Sequence, residues 1–157
     1  MSEPFSIVQT VRFGDLDAMQ HMNNVEFLRF FETARIAYIG RLFPEHAPTD
    51  PVEFGFIFAE CHIAYRSPAL FDERLSTSIR PSELRRSSFR LEFEMRAEGD
   101  RRAVADGWGV LVGYDYREGR ARPLPERVRA RLLEEGATDA AAVSDGGSPS
   151  DAPPAVG

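Results

Sequence analysis

The chain has 157 residues with 19 basic and 25 acidic side chains, a formal net charge of −6, and every basic side chain is arginine. Without lysine, catalysis through a lysine Schiff base and a lysine-dependent phosphate-loop NTPase are excluded. The acidic balance argues against a general nucleic-acid binder, whose domain is usually basic. Because 43% of the residues are hydrophobic, the chain can build a core, and its length fits one domain of roughly 150 residues.

Cysteine content and apolar runs suggest the compartment. The lone cysteine, Cys61, rules out an intramolecular disulfide and suits a reducing environment. Residues 1–13 lack the basic start and long apolar run of a secretory signal. No stretch approaches the roughly 18 apolar residues of a membrane span. We therefore expect a cytoplasmic protein without a membrane span.

The first elements in chain order are a strand over residues 5–13 and a long helix over residues 24–43. Charged side chains recur every third position of the helix in one narrow stripe, formed by Glu26, Arg29, Glu32 and Arg35. Apolar side chains cover most of the remaining surface, which is typical of a helix buried in a core. Asn23 is placed to cap this helix, and Glu26 completes a capping-box-like pair.

Four more strands are predicted after the helix, over residues 54–66, 72–81, 88–97 and 103–116. In the last of them, Ala105 and three glycines leave one face without bulk, and we expect the buried helix to occupy it. A short helix follows over residues 125–134. Consecutive strands form an antiparallel sheet. The order predicts an α+β fold in which about five antiparallel strands wrap one long central helix, with uncovered edges that favour dimerisation.

Composition changes near Gly136 and divides the chain. Residues 136–157 are small and polar, contain proline and glycine, and lack aromatic side chains. Such a segment buries too little apolar area to offset the entropy lost on ordering. The sequence therefore predicts a folded domain over residues 1–135 and a disordered tail over residues 136–157.

Polar side chains concentrate in residues 12–24, directly before the long helix. The segment supplies two carboxylates, an imidazole and two amides: Asp15, Asp17, His21, Asn23 and Asn24. A helix N-terminus has unpaired N–H groups and a partial positive charge, so it can hold the oxygen of a polarised carbonyl. A nearby carboxylate can activate water or attack that carbonyl.

A specific motif joins this segment to the helix and reads Asp15-x-Asp17-x-x-x-His21-x-Asn23-Asn24-x-x-Phe27, with Glu32-x-x-Arg35 following. It resembles the 4-hydroxybenzoyl-CoA thioesterase-like branch of the hotdog-fold acyl-CoA thioesterases. Weaker matches extend the resemblance over residues 5–133, namely Tyr65-Arg66-x-Pro68, Arg86-Ser87-Ser88-Phe89 and Arg122-Pro123-Leu124-Pro125.

The resemblance implies a hotdog fold, assembled as a homodimer or homotetramer with active sites at the subunit interface and an acyl-CoA substrate. By match to the motif, Asp17 is implied as nucleophile or general base. The backbone N–H groups around Asn23 and Asn24 would polarise the thioester carbonyl, and His21 would orient groups. No metal or separate cofactor is implied, because coenzyme A is part of the substrate. Relatives often have glycine where this chain has Gln20, a departure that bears on pocket size and on the turn.

Coenzyme A phosphates need cationic partners, and the planar donor fork of arginine suits them. We assign this role to Arg66, at the end of one predicted strand, and to Arg85, Arg86, Ser87 and Ser88, at the start of another. The alternative for each is ordinary solvated surface polarity.

Other roles stay open for the motif residues. Asp17 could be a turn residue, Asp15 structural, and Asn23 and Asn24 helix caps. His21 could be an ordering hydrogen-bond partner rather than an acid or base. A metal held by the two aspartates and the histidine is disfavoured, because three such ligands in a loop are not a ligand signature by themselves.

Three functions are compatible with these residues. The leading hypothesis is hydrolysis of an acyl-CoA thioester to a free acid and coenzyme A. A hotdog enoyl- or 3-hydroxyacyl-thioester (de)hydratase is an alternative, although its Asp-x-Asn-Pro-His pattern is only loosely matched between Asp17 and His21. A non-catalytic acyl-thioester binding module is the third, since a fold can persist after its site is lost.

Overall fold

A computed structural model describes residues 3–44 and 55–140 of the chain. The long elements are β1 Phe5–Thr10, α1 Asn24–Leu42, β2 Phe56–Tyr65, β3 Arg74–Leu84, β4 Ser88–Ala97 and β5 Ala103–Asp115. The short ones are a 3₁₀ turn at Phe13–Asp15, β6 Arg120–Ala121, α2 Glu126–Glu134 and β7 Thr138–Asp139. Within the described ranges, no helix combines the length and apolar character needed to cross a membrane.

The strands form one sheet in the order β1-β3-β4-β5-β2, and all the long strands pair antiparallel. The predicted α+β hotdog fold is confirmed, with the described residues forming seven strands rather than about five. The two unpredicted strands, β6 and β7, have two residues each. That is too short to leave a periodic signal in the sequence.

Helix α1 packs against the sheet, mainly against β3 and β1. Phe31, near its middle, is fully buried and stacks on Phe93 with ring centroids 4.3 Å apart, while the Phe58 ring lies 6.0 Å away. Each large apolar side chain buried in this way contributes about 1.5–3 kcal/mol. The predicted helix is therefore confirmed, but only one of its faces is buried, because Leu28 and Ala37 are exposed.

One member of the predicted charged stripe lies in the core instead. Arg35 is only 9% exposed, and its guanidinium carbon lies 4.3 Å from the centre of the Phe58 ring. Its nearest carboxylate, Glu32, is 3.7 Å away, and burial lowers the pKa of Arg35. The three-residue period placed Arg35 in one stripe with Glu26, Arg29 and Glu32, but the Phe58 ring of the edge strand β2 packs on its guanidinium.

The glycine-rich face of β5 admits two different neighbours. A Cβ on Gly109 would lie 2.5 Å from the Phe58 ring of β2 and 3.0 Å from the Phe31 ring of α1, so the helix reaches this position through one side chain and β2 lies closer. A Cβ on Gly107 would instead overlap the backbone carbonyl oxygen of His62 in β2. At that position the glycine accommodates a neighbouring strand rather than the helix.

The sequence analysis ended the folded domain at residue 135, but residues beyond that position also pair with the sheet. Thr138 and Asp139 form β7 and pair with β3 in parallel. The Asp139 carboxylate lies 3.0 Å from the Arg129 guanidinium of α2. Local composition does not reveal this pairing, because the partners are distant in sequence. The rest of the predicted tail, residues 141–157, lies outside the described residues.

Candidate active site

The segment before α1 is built around the buried carboxylate of Asp15. Its Oδ2 accepts the Arg12 backbone N–H at 2.8 Å, and its Oδ1 lies 3.1 Å from Arg12 Nη2. The Asp15 carbonyl accepts the Asn23 N–H at 2.8 Å. Burial alone would raise the pKa of Asp15, but the hydrogen bonds from Arg12 outweigh it and hold the pKa below its ordinary value. Asp15 therefore organises the loop.

Asp17 begins a tight turn that leaves part of its carboxylate open. Oδ1 accepts the Met19 N–H at 2.8 Å, and the Asp17 N–H donates to the His21 carbonyl at 3.0 Å. Among the described residues, no hydrogen-bond donor meets Oδ2 of this exposed side chain. One carboxylate oxygen is thus fixed by the turn, while the other is available for chemistry.

Gln20 occupies the left-handed backbone region in this turn, with φ of 62°. Side chains rarely adopt this conformation, whereas glycine adopts it without steric cost. This explains why glycine suits the position before the histidine. The turn is present with Gln20 in place of glycine, because the Gln20 N–H donates to the Asp17 carbonyl at 2.9 Å. The Gln20 side chain is not among the residues that line the cleft.

Substitutions at Gln20 test this backbone conformation. Gln20→Gly is expected to change the free energy of unfolding by less than about 1 kcal/mol. Glycine relieves the backbone strain at positive φ, but it also raises the conformational entropy of the unfolded chain. Gln20→Val is expected to lower it by about 1–2 kcal/mol, because a β-branched side chain clashes at positive φ. Urea unfolding of both variants measures the difference. Equal stability of the two variants would contradict the left-handed turn.

Asn23 and Asn24, at the N-terminus of α1, have different environments. Asn23 Oδ1 accepts the Val25 N–H at 3.0 Å, which confirms the predicted cap. The predicted capping-box-like pair with Glu26 is wrong. The Asn23 N–H donates to the Asp15 carbonyl instead, and the Glu26 carboxylate lies 3.7 Å from the Arg29 guanidinium. Asn24 lies in the cleft, and within the described ranges its N–H meets no acceptor.

A cleft of about 360 Å³ forms where the start of α1 meets the end of β2. Its lining residues are Asp17, Met19, His21, Met22, Asn24, Phe27, Tyr65, Arg66, Ser67 and Pro68. Three of the four predicted catalytic residues therefore come together here, and Asn23 remains behind as the cap. A larger groove of about 1010 Å³ between β1 and α1 contains none of the predicted site residues.

Tyr65 is a cleft residue to which sequence reasoning assigned no role. Its hydroxyl donates to the Asn24 carbonyl at 3.1 Å, and its ring meets Phe27 edge-on at 5.1 Å. These contacts join the end of β2 to the first turn of α1. The available signal was the Tyr65-Arg66-x-Pro68 match, which does not reveal a contact across 41 residues.

The residues assigned to coenzyme A lie at two separate ends of the sheet. Arg66 is in the cleft, where its guanidinium makes two hydrogen bonds to Asp106 at 2.8 and 3.1 Å. The remaining four form the turn between β3 and β4, here called the 85–88 turn, at the same end of the sheet as the first residue of β2, with β5 between them. At about 3.3 Å per residue, the two ends of β2 are about 30 Å apart.

Within the 85–88 turn, the two arginines differ. Arg85 hydrogen-bonds the Glu83 carboxylate at 2.9 Å. The exposed Arg86 side chain has no partner among the described residues, and the Ser87 carbonyl accepts the Gly113 N–H at 2.7 Å. The Ser88 carbonyl accepts the Arg85 N–H at 2.8 Å. Arg86 is therefore the available cation of this turn.

Residues 11–132 match the family model described as the thioesterase-like superfamily. In sequence the chain is similar to the long-chain acyl-CoA thioesterase FadM of Escherichia coli (strain K12), 28% identical over 122 residues, 78% of this chain and 92% of that protein. It is also similar to a solved thioesterase from Thermus thermophilus complexed with coenzyme A and Zn, 37% identical with a TM-score of 0.71, covering 82% of this chain and 91% of that one. A thioesterase superfamily structure from Jannaschia sp. CCS1 is 28% identical with a TM-score of 0.77, covering 87% and 86%.

Proposed function

Because this chain belongs to the thioesterase-like superfamily and is a thioester hydrolase, we propose that it hydrolyses acyl-CoA to the free acid and coenzyme A, with Asp17 as nucleophile or general base. The observation that carries the proposal is that one cleft is lined both by Asp17, whose Oδ2 is open, and by Asn24, whose N–H meets no acceptor among the described residues. The Asp17 carboxylate can attack a carbonyl carbon or activate a water that attacks it, and the Asn24 N–H can stabilise the carbonyl oxygen.

In the proposed mechanism, the thioester carbonyl oxygen accepts the Asn24 N–H at the positive end of α1. Preorganised donors of this kind contribute about 10²–10³ in rate each. Asp17 then removes a proton from an attacking water, or attacks the carbonyl carbon and forms an anhydride that water cleaves. In both routes the C–S bond breaks and its electron pair leaves on sulfur. The thiolate takes the proton that Asp17 removed from water in the first route, and a proton from solvent in the second.

The walls of the cleft suit an apolar acyl group. Met19, Met22 and Phe27 supply apolar surface beside the Asp17 carboxylate. A few polar groups among apolar walls are typical of small-molecule sites. The similarity to a thioesterase named for long-chain acyl-CoA supports this substrate class. His21 lies in the same wall, where an imidazole orders substrate or water by hydrogen bonding.

Thiol release from a panel of acyl-CoAs, from acetyl to palmitoyl and including benzoyl, tests the proposed function. We expect release of free coenzyme A from at least one member of the panel. Binding by calorimetry without thiol release would instead indicate a non-catalytic module. Loss of enoyl-CoA absorbance without thiol release would indicate a hydratase.

The position of the 85–88 turn bears on the subunit arrangement. This turn lies at the Phe56 end of β2, whereas the cleft lies at the Tyr65 end. Strand β2 is an edge of the sheet, and no strand in the described part of the chain pairs with its free side. Its central residues are exposed, so this edge is open to another strand.

Antiparallel pairing of two β2 strands would complete the site. It places the Phe56 end of one copy beside the Tyr65 end of the other, by the geometry of an isologous two-fold contact. The 85–88 turn of the second copy then approaches the cleft of the first. In this arrangement Arg86 of the second copy binds coenzyme A phosphates, for which its guanidinium is available.

Mixed oligomers test this contribution across subunits. Heterodimers of one Asp17→Asn chain and one Arg86→Glu chain, isolated through two different affinity tags, retain one intact site if Arg86 acts on the neighbouring cleft. We therefore expect activity near half that of the wild type at subsaturating acyl-CoA, although each variant alone is weak. The matched control is the isolated heterodimer of one double-variant Asp17→Asn/Arg86→Glu chain and one wild-type chain, which has no intact site in this arrangement. If Arg86 acts within its own chain, the heterodimer of the two single variants would be weakly active and the control would retain about half of the wild-type activity.

A further inference from the structure

Arg102 lies outside the cleft, in the turn between β4 and β5, yet its side chain reaches the loop that follows β2. Nε donates to Ser67 Oγ at 3.0 Å, and Nη2 donates to the Pro68 carbonyl at 3.0 Å. Nη2 also donates to the two Glu73 carboxylate oxygens at 2.9 and 3.0 Å. Nη1 donates to Asp100 at 2.9 Å. All three guanidinium nitrogens are therefore engaged.

The loop that Arg102 holds, residues 66–73, is a wall of the cleft. Ser67 and Pro68 line the cleft, and Ser67 Oγ donates to the Ala103 carbonyl at 2.7 Å. Glu73 Oε1, one of the acceptors of Arg102, also accepts the Leu70 N–H at 2.8 Å. Removal of the guanidinium would thus break the hydrogen bonds that connect Ser67 and Pro68, at one end of this loop, to Glu73 at the other.

The same loop contacts the catalytic segment through one backbone hydrogen bond. The Ala69 carbonyl accepts the Met22 N–H at 2.8 Å, and Met22 is only 2% exposed. Met22 immediately follows His21, whose carbonyl holds the Asp17 N–H. A path of hydrogen bonds therefore leads from Arg102 to the turn of Asp17, through the peptide links Pro68–Ala69 and His21–Met22.

We propose that Arg102 is a positioning residue, which holds the 66–73 loop and through it the Asp17 turn in the geometry needed for thioester hydrolysis. The inference rests on the proposed function. A displacement of about 1 Å of a catalytic group can lower a rate by about 10²-fold. A planar fork that bonds Ser67, Pro68 and Glu73 together cannot be reproduced by the compact ammonium of lysine.

Arg96 is a matched control at the same end of the sheet. Its Nη1 donates to the Arg101 carbonyl at 3.0 Å, and it pairs with the Glu94 carboxylate. Within the described part of the chain it makes no hydrogen bond to the 66–73 loop. An arginine that contributes only to general stability would behave like Arg96.

The test compares Arg102→Gln, Arg102→Lys and Arg96→Gln with the wild type, below the unfolding temperature of each variant. The readouts are kcat and KM for acyl-CoA hydrolysis and amide hydrogen exchange at Met22. Both Arg102 variants are expected to lower kcat by about 10-fold or more, with a smaller change in KM. They are also expected to speed Met22 exchange by about 10-fold. Arg96→Gln is expected to change neither.

Each contrary outcome has one meaning. Folded Arg102→Gln with wild-type kcat overturns the proposal, and so does a lower kcat with unchanged Met22 exchange. If the wild-type protein releases no thiol from any acyl-CoA, the proposed function fails. The Met22 exchange of the Arg102 variants would still decide whether Arg102 positions the loop.

Discussion

Replacing Asp17 with asparagine is expected to lower kcat for thioester hydrolysis by about 10²–10⁴-fold, the range that a general base contributes. The introduced asparagine side chain would keep an oxygen that accepts the Met19 N–H, as Asp17 Oδ1 does at 2.8 Å. It would lose the negative charge and basicity of the open oxygen. The turn should therefore persist while the chemistry is lost. Thiol release and thermal unfolding of Asp17→Asn measure the two effects separately.

Asp115→Asn is the matched control for this loss of charge. Asp115 ends β5, lies outside the cleft lining, and accepts the Arg117 N–H through Oδ1 at 2.9 Å, as Asp17 Oδ1 accepts the Met19 N–H. We expect wild-type kcat for Asp115→Asn. Full activity of a folded Asp17→Asn variant would remove Asp17 from the chemical step and leave the helix N-terminus as the main source of catalysis.

The largest stability effect is expected at Gly107. Gly107→Ala should lower the free energy of unfolding by about 3 kcal/mol, the upper end of typical overpacking costs. The added Cβ would overlap the His62 carbonyl oxygen and lie 2.9 Å from its carbonyl carbon. These are backbone atoms of β2, so no rotamer change relieves the clash. Urea unfolding monitored by circular dichroism gives the value.

Gly99→Ala provides the comparison, because no atom lies within 4 Å of the Cβ it would add. Alanine there should stabilise slightly or leave the free energy of unfolding within about 0.5 kcal/mol of wild type. If Gly107→Ala and Gly99→Ala proved equally stable, the close approach of β2 to β5 at Gly107 would be contradicted.

Features that depend on near neighbours in the chain were predictable from the sequence. The apolar pattern of residues 24–43 predicted a long helix in the core, which the structure has at Asn24–Leu42 with one face buried. Asn23 caps it as predicted, because a cap is made with a residue two positions away. The alternation over residues 88–97 predicted β4 with both of its ends correct. Periodicity and capping act within one or two turns of chain, so sequence reasoning captures them.

Contacts that depend on strand register needed the tertiary structure. Tyr65 joins Asn24 at the cleft because the end of β2 packs beside the start of α1, a contact across 41 residues. The same register sends the 85–88 turn to the opposite end of the sheet, although its arginines suggested the same role as Arg66. Arg102 reaches the cleft wall from another turn altogether. Residue types predicted the chemistry of this chain, whereas long-range pairing decided which of those residues meet, because a hydrogen bond between distant strands leaves no local pattern.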